Sequence, residues 1–299
     1  MQVQTIDLLF NGHERAVASF LVEGPDGFIL IETGPESCRE RLLSELAEKE
    51  INPAEVAAIF VTHIHLDHAG GAGWWAHQGV PVYVHPKGAR HLVDPERLEA
   101  SARQIYGDRF DELWGAMVPA PADKVIAVED DEIITVAGLE VCAIETLGHC
   151  FHHHAYAIGG VIFAGDAAGA RIDDSGYISV TSAPPQFHLE HTLSSIDHLI
   201  DLAPASLYLT HFGEVDNPEA HLEAYYEAVE LNALFIQQRL EEGMDAESLE
   251  VAYEAFQMEQ AFRARVRSDD WATFQDINGT AMCADGIRLY WEKLTDDRA

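Results

Sequence analysis

The feature that most constrains this sequence is an apolar segment that runs directly into a dense group of metal-ligand side chains. Residues 56–61 (VAAIFV) are all apolar, and His63, His65, Asp67 and His68 follow at once. An uninterrupted apolar run of this length is typical of a buried strand. Imidazole and carboxylate groups are ligands of zinc and of other first-row divalent metals. A strand that ends in a short loop directs such side chains towards one point, so we predict a metal site here.

Three more ligand-type residues stand just after the ends of other predicted strands. They are His149 after residues 139–146, Asp166 after residues 161–164, and His211 after residues 207–209. Together with the first four residues they give seven potential ligands, which is enough for two metal ions that share one carboxylate. Two β-rich halves, each accompanied by helices, favour sheets packed together with helices outside. We therefore predict an α+β fold with the ligands at one edge.

The charge balance restricts the partners of the chain. Lysine and arginine number 18 and aspartate and glutamate 51, so the net charge is 18 − 51 = −33. A field of this sign repels the phosphate backbone of nucleic acids. The sequence contains no run of about 18 apolar residues, so we expect no transmembrane helix. Residues 1–7 lack the basic start and apolar stretch of a signal peptide. We expect a cytoplasmic protein with a small-molecule substrate and without nucleic-acid or membrane partners, and we leave a homodimer open.

The order and spacing of the ligand-type residues resemble the metallo-β-lactamase superfamily. The resemblance rests on the motif His63-x-His65-x-Asp67-His68, on residues 18–24 (ASFLVEG), and on the contexts Gly148-His149, Gly165-Asp166 and Thr210-His211-Phe212-Gly213. It covers about residues 1–215. The fold that it implies is α+β, the four-layer αβ/βα sandwich of that superfamily, with a C-terminal helical extension added here.

This resemblance also implies how the ligands are shared between two metal ions. The first ion has His63, His65 and His149, the second has Asp67, His68 and His211, and Asp166 bridges both. The expected ions are two zinc ions, with iron or manganese as alternatives. Two such ions bind a bridging hydroxide near neutral pH. Asp67 is the candidate catalytic residue, which orients the nucleophile or protonates the leaving group.

The composition of the chain changes near residue 217. Residues 218–267 are rich in alanine, glutamate and leucine with helical periodicity, and Gly243 is the one break. We predict a metallo-β-lactamase-like catalytic domain over residues 1–216 and a C-terminal helical extension over residues 217–299 packed on it. The sequence leaves open whether these helices serve dimerisation, pocket closure or packing.

The motif from His65 to Gly71 (HLDHAGG) is similar to that of acyl-homoserine lactone lactonases. We predict a dinuclear metal-dependent hydrolase that attacks an ester, lactone or thioester carbonyl of a small molecule. The glyoxalase II branch also carries C-terminal helices, but residues 212–216 (FGEVD) differ from its characteristic continuation after this histidine, and the extension is acidic where a glutathione site needs cations. The alternatives are an enzyme resembling the mononuclear iron persulfide dioxygenases, with iron at His63, His149 and Asp166, and a non-catalytic metal-binding member of the fold.

Three positions near the motif depart from the family pattern or extend it. Glu32 stands before Thr33-Gly34 where the family usually has aspartate, and we expect its longer side chain to shift the support of a ligand histidine. Cys150 follows His149 at a position where the family commonly has threonine, and we expect it to be a small packed residue. Within the run His152-His153-His154, His153 is the candidate for a hydrogen bond to a ligand.

Overall fold

The computed structural model describes residues 1–172 and 174–296, which form an α+β structure. The strands are β1 (Gln2–Asp7), β2 (Ala18–Gly24), β3 (Gly27–Ile31), β4 (Val56–Phe60), β5 (Val82–Val84), β6 (Val125–Ala127), β7 (Ile133–Val136), β8 (Leu139–Glu145), β9 (His154–Ile158), β10 (Val161–Gly165), β11 (Ser206–Leu209) and β12 (Gly213–Val215). They belong to two six-stranded sheets, β1 to β6 and β7 to β12.

Helices follow the strands and dominate the last third of the chain. They are α1 (Arg39–Glu48), α2 (Leu66–Ala69), α3 (Ala72–His77), α4 (Pro86–Val93), α5 (Glu96–Tyr106), α6 (Phe110–Leu113), α7 (Leu189–Asp201), α8 (Pro218–Glu241), α9 (Ala246–Ala264), α10 (Ser268–Ile277) and α11 (Thr280–Asp296). Within the described ranges, no helix combines the length and the apolar character that a membrane crossing requires.

Contacts divide the chain into two compact units. The first consists of Met1–Glu145 and His152–Gly165, and the second consists of Thr146–Phe151 and the described residues from Asp166 onwards. The boundary that the sequence places between residues 216 and 217 stays a prediction.

In the first unit, β1 to β6 form a mixed sheet in chain order. The strands β1, β2 and β3 are antiparallel neighbours, whereas β3 to β6 run parallel. The strand β4 is almost wholly buried, as its uninterrupted apolar sequence requires, because parallel strands are covered on both faces. The loop after β4, which carries the first predicted ligands, therefore begins at the carboxyl edge of these strands.

The strands β7 to β10 of the first unit pair consecutively and antiparallel. Gly159 and Gly160 connect β9 to β10 with φ of 57° and 88°. A two-residue hairpin turn with both φ values positive matches the twist of its strands and favours glycine. Gly159 and Gly160 therefore form the turn of the hairpin between β9 and β10.

The second unit contains the β11–β12 hairpin, the helix α7 and the helices α8 to α11. The side chain of Asn217 caps α8 and that of Asp245 caps α9, each accepting a hydrogen bond from a backbone N–H of the first turn. Between the two helices lies Gly243 with φ of 82°, a conformation in which glycine is favoured at a helix end. The helical pattern predicted for residues 218–267 and its break at Gly243 are confirmed.

Candidate metal centre

The first four predicted ligands follow β4 in the first unit. The chain leaves β4 at Phe60, and His63 lies in the connection that follows. His65 is the N-cap residue of the short helix α2, which carries Asp67 and His68. His63 and His68 are fully buried, whereas His65 and Asp67 are partly exposed. A strand end and one helical turn thus present four ligand-type side chains within six positions.

The donor atoms of these four residues converge. The Nε2 atom of His63 is 2.9 Å from Nδ1 of His65, and the ring centroids of His63 and His68 are 4.0 Å apart. The Oδ2 atom of Asp67 lies 3.5 Å from Nε2 of His68. Nitrogen and oxygen atoms at such distances are close enough to share metal ions, because their bonds to zinc are about 2.0–2.2 Å long.

Glu32 and Thr62 orient two of these histidines from behind. The Nδ1–H group of His68 donates to Oε1 of Glu32 at 2.9 Å, and both side chains are inaccessible to solvent. The hydroxyl of Thr62 donates to the same carboxylate at 2.5 Å and lies 3.1 Å from Nδ1 of His63. Since the Thr62 proton goes to Glu32, the Nδ1–H of His63 donates to Thr62. Nδ1 donation of this kind leaves Nε2 of each ring for a metal.

The other three predicted ligands lie in the second unit. Asp166, which follows β10, is between two histidines: Oδ2 is 3.3 Å from Nε2 of His149, and Oδ1 is 3.6 Å from Nε2 of His211. All three side chains are at least nine-tenths buried. The Nδ1–H of His149 donates to the carbonyl oxygen of Thr181 at 2.8 Å. The structure thus brings these three residues together, with one carboxylate oxygen facing each imidazole.

The run His152-His153-His154 does not act as one group. The ring of His153 lies 4.8 Å from that of His63, and the ring of His152 lies 5.7 Å from that of His65. A hydrogen bond from His153 to a ligand stays a prediction. His154 instead packs against His85 at 4.6 Å, and burial lowers its pKa from 6.5 to about 3.

The donor set fits divalent transition metals. Among the described residues, the His, Cys and Asp side chains that could hold a metal ion include the seven predicted ligands and Cys150. Imidazole and carboxylate ligands suit zinc, iron and manganese. Cys150, which the sequence assigned to packing, is indeed fully buried, but its thiol is also a potential ligand. No sequence pattern indicated the supporting contacts from Thr62 and Thr181.

Comparisons with known proteins identify the family of the chain. Residues 13–211 match the family model of the metallo-beta-lactamase superfamily. Because this match spans well over half of the chain, the chain belongs to that superfamily. It has the α+β metallo-β-lactamase fold and carries additional C-terminal helices. The fold class predicted from the sequence is confirmed.

Individual relatives are distant. The chain is 28% identical over 171 residues to a metallo-beta-lactamase fold-containing protein, ST1585 from Sulfurisphaera tokodaii, and the match covers 55% of this chain and 64% of the relative. The chain thus spans less than two thirds of that relative.

Solved structures show the same fold. The crystal structure of ST1585 has a TM-score of 0.61 with 21% identity, covering 77% of this chain and 85% of the other. A metallo-beta-lactamase family protein, TTHA1429 from Thermus thermophilus, has a TM-score of 0.67 with 21% identity and covers 99% of this chain and 94% of its own. A B3 metallo-beta-lactamase with an active-site glutamic acid has a TM-score of 0.55 with 17% identity, covering 81% and 89%.

Proposed function

We propose that the protein is a dinuclear metal-dependent hydrolase that acts on an ester, lactone or thioester carbonyl of a small molecule. The observation that carries this proposal is the position of Asp166, whose two carboxylate oxygens face two different histidines, His149 and His211. A carboxylate placed in this way suits a bridge between two ions. The superfamily includes hydrolases, and the donor set offers enough ligands for two ions.

In this proposal each ion has its own ligand set. His63, His65 and His149 hold the first ion, Asp67, His68 and His211 hold the second, and Asp166 is shared. Zinc is the proposed metal, because neutral imidazoles predominate among the ligands. When bound, two ions of this kind activate a water molecule near neutral pH and polarise the carbonyl oxygen of the substrate.

The residues of the chain then supply orientation and proton transfer. Glu32 and Thr62 hold Nδ1 of His68 and His63, so that Nε2 of both rings is presented in a fixed direction. The Asp67 side chain is 15% exposed, so one of its oxygens can meet solvent or substrate. We assign it to orient the attacking water and to deliver a proton to the leaving oxygen or sulfur.

Metal quantification on the purified full-length chain, followed by hydrolysis assays, tests the proposal. We expect about two zinc ions per chain, the stoichiometry of a two-metal site, and turnover of lactone or thioester substrates but not of phosphodiesters. One iron per chain with oxygen uptake in the presence of a persulfide would replace the hydrolase by a dioxygenase. Bound metal without turnover on ester, lactone, thioester and β-lactam panels would identify a non-catalytic member of the fold.

The proposal includes a cytoplasmic location and a small-molecule substrate, without nucleic-acid or membrane partners. The net charge of −33 supports the exclusion of nucleic acids. An electrophoretic shift of DNA or RNA at physiological salt would contradict it.

We also propose a homodimer that forms through α9. Val251, Met258 and Phe262 are exposed at 66%, 51% and 82%, and their spacing puts them on one helix face. Glutamates at positions 247, 250 and 254 occupy the N-terminal half of α9, whereas the C-terminal end carries Arg263, which pairs with Glu259, and is followed by Arg265 and Arg267. Two copies in antiparallel contact therefore bring opposite charges together across a two-fold axis. Sedimentation should show a dimer that Phe262→Glu dissociates, and a wild-type monomer at all concentrations would refute the contact.

A further inference from the structure

One residue of the second unit contacts two of the predicted ligands. Thr181 lies in residues 177–183, which we call the support segment, and is 2% exposed. Its carbonyl oxygen accepts the hydrogen bond from Nδ1 of His149 at 2.8 Å. Its hydroxyl donates to the backbone carbonyl of Asp166 at 2.7 Å. The position of Thr181 therefore influences both the orientation of the His149 ring and the place of the Asp166 backbone.

Tyr225 of α8 holds this threonine. Its hydroxyl is 3.0 Å from Oγ1 of Thr181. Because the Thr181 proton is directed at Asp166, the Tyr225 hydroxyl is the donor in this pair. Burial raises the pKa of Tyr225, which keeps this donor protonated. The ring is fixed as well, since a Cβ atom on Gly169 would lie 2.5 Å from its Cε2 atom.

The other C-terminal helices hold the support segment on both sides of Thr181. Asn278, at the end of α10, donates from Nδ2 to Oγ of Ser179 at 2.8 Å and to the carbonyl oxygen of Val180 at 3.0 Å. The hydroxyl of Ser182 donates to the carbonyl of Cys283 in α11 at 3.0 Å. Every one of these residues is buried, so solvent does not replace the contacts. The helices thus have a direct mechanical connection to Thr181.

We propose that the C-terminal helices position the metal ligands His149 and Asp166, and that Tyr225 is the positioning residue that acts on them through Thr181. The proposal rests on the metal-binding part of the proposed function and not on the reaction. Hydrogen-bond partners behind a ligand fix its ring orientation and tune its affinity for the metal. The helical extension therefore has a function in the metal centre, in addition to any role in packing.

The test compares two tyrosine variants of the full-length chain. Tyr225→Phe removes one buried hydroxyl and keeps the ring. Tyr253→Phe is the matched control, because Tyr253 is equally buried, lies on α9 and donates to Oδ1 of Asn232 at 2.6 Å without contacting Thr181. Zinc affinity is measured by competition with a chromophoric chelator, and the visible spectrum of the Co²⁺-substituted protein reports ligand geometry. Thermal unfolding of the metal-free proteins measures any general loss of stability.

We expect Tyr225→Phe to raise the zinc dissociation constant by about 2- to 10-fold, the effect of one net hydrogen bond, and to shift the Co²⁺ bands. Thr181→Val should do the same, and Thr181→Ser, which retains the hydroxyl, should restore wild-type affinity. Tyr253→Phe should lower the melting temperature to a similar extent with unchanged affinity and spectrum. Equal affinities for Tyr225→Phe and wild type, or equal losses in both tyrosine variants, would overturn the positioning role. Metal binding without any hydrolysis would contradict only the proposed reaction, and a wild-type chain that binds no metal would overturn both.

Discussion

Replacing Glu32 with glutamine changes one atom of a buried carboxylate that accepts hydrogen bonds from Thr62 and His68. Oε1 accepts from the Thr62 hydroxyl at 2.5 Å and from Nδ1 of His68 at 2.9 Å, and Oε2 accepts from the Thr62 backbone N–H at 3.2 Å. An amide NH2 group in place of Oε1 or Oε2 would face a hydrogen-bond donor of Thr62 or His68, so that two donors would oppose each other. Hydrogen bonds to charged groups contribute about 1.5–3 kcal/mol each, so we expect a loss of about 2–4 kcal/mol in the free energy of unfolding.

Metal affinity is the more specific measurement for this variant. Without the carboxylate, the Nδ1–H of His68 loses its acceptor or shares a weaker one, and the ring is free to turn. Changes of this kind behind a metal ligand typically cost 10- to 100-fold in affinity. We expect Glu32→Gln to raise the zinc dissociation constant by about this factor. Glu32→Asp, which keeps the charge and shortens the side chain, should lie between it and the wild type.

The assay is competition with a chelator at fixed pH and ionic strength, combined with urea unfolding of the metal-free protein. Unfolding separates the general cost of the buried amide from the effect on the metal. If Glu32→Gln bound zinc as tightly as the wild type while losing stability, the carboxylate would support the fold only. If neither quantity changed, the hydrogen bonds of Glu32 would be weaker than their geometry indicates.

The remaining predictions concern turnover, close packing and pH. Asp67→Asn should lower kcat by about 10²- to 10⁴-fold and leave most of the metal bound in an elemental analysis; retained turnover would refute its catalytic role. Gly165→Ala should destabilise the protein by about 1–3 kcal/mol more than Gly159→Ala in urea unfolding. The two residues have φ of 52° and 57°, but a Cβ atom would lie 2.5 Å from the Thr62 hydroxyl at Gly165 and meets nothing within 4 Å at Gly159; equal losses would exclude the close packing. The folded state holds His154 neutral down to about pH 3, whereas the unfolded chain binds a proton below about 6.5. The free energy of unfolding should therefore fall as the pH drops through this window, by roughly 1.4 kcal/mol per pH unit, and His154→Leu should reduce that slope; an unchanged slope would contradict the lowered pKa.

The seven ligand-type residues could be recognised in the sequence because their side chains carry the chemistry themselves. Five histidines and two aspartates that follow strand ends form a pattern that is rare outside metal-binding sites. The long apolar run of β4 and the helical periodicity of residues 218–267 were equally clear, because burial and periodicity act within a short window.

Other parts of the structure have no such local signature. The strand β1 has mostly exposed or half-buried residues, and it exists because it pairs with β2. The strand β12 has three residues, too few for any periodicity. Thr181 supports His149 through its backbone carbonyl, a group that every residue has. Tyr225 reaches Thr181 across 44 positions, so only the folded chain shows the contact.

The hydrogen bonds between the C-terminal helices and the support segment affect how related sequences should be classified. All seven ligand-type residues precede residue 217, so a search with the ligand motif alone accepts any chain that contains them. Tyr225, Asn278 and Cys283 lie beyond that point and contact residues 179–182. A homologue that retains the ligands but has exchanged these helices should be expected to hold its metals differently. Grouping relatives by the pair formed by positions 181 and 225 would separate them on a physical criterion that motif searches overlook.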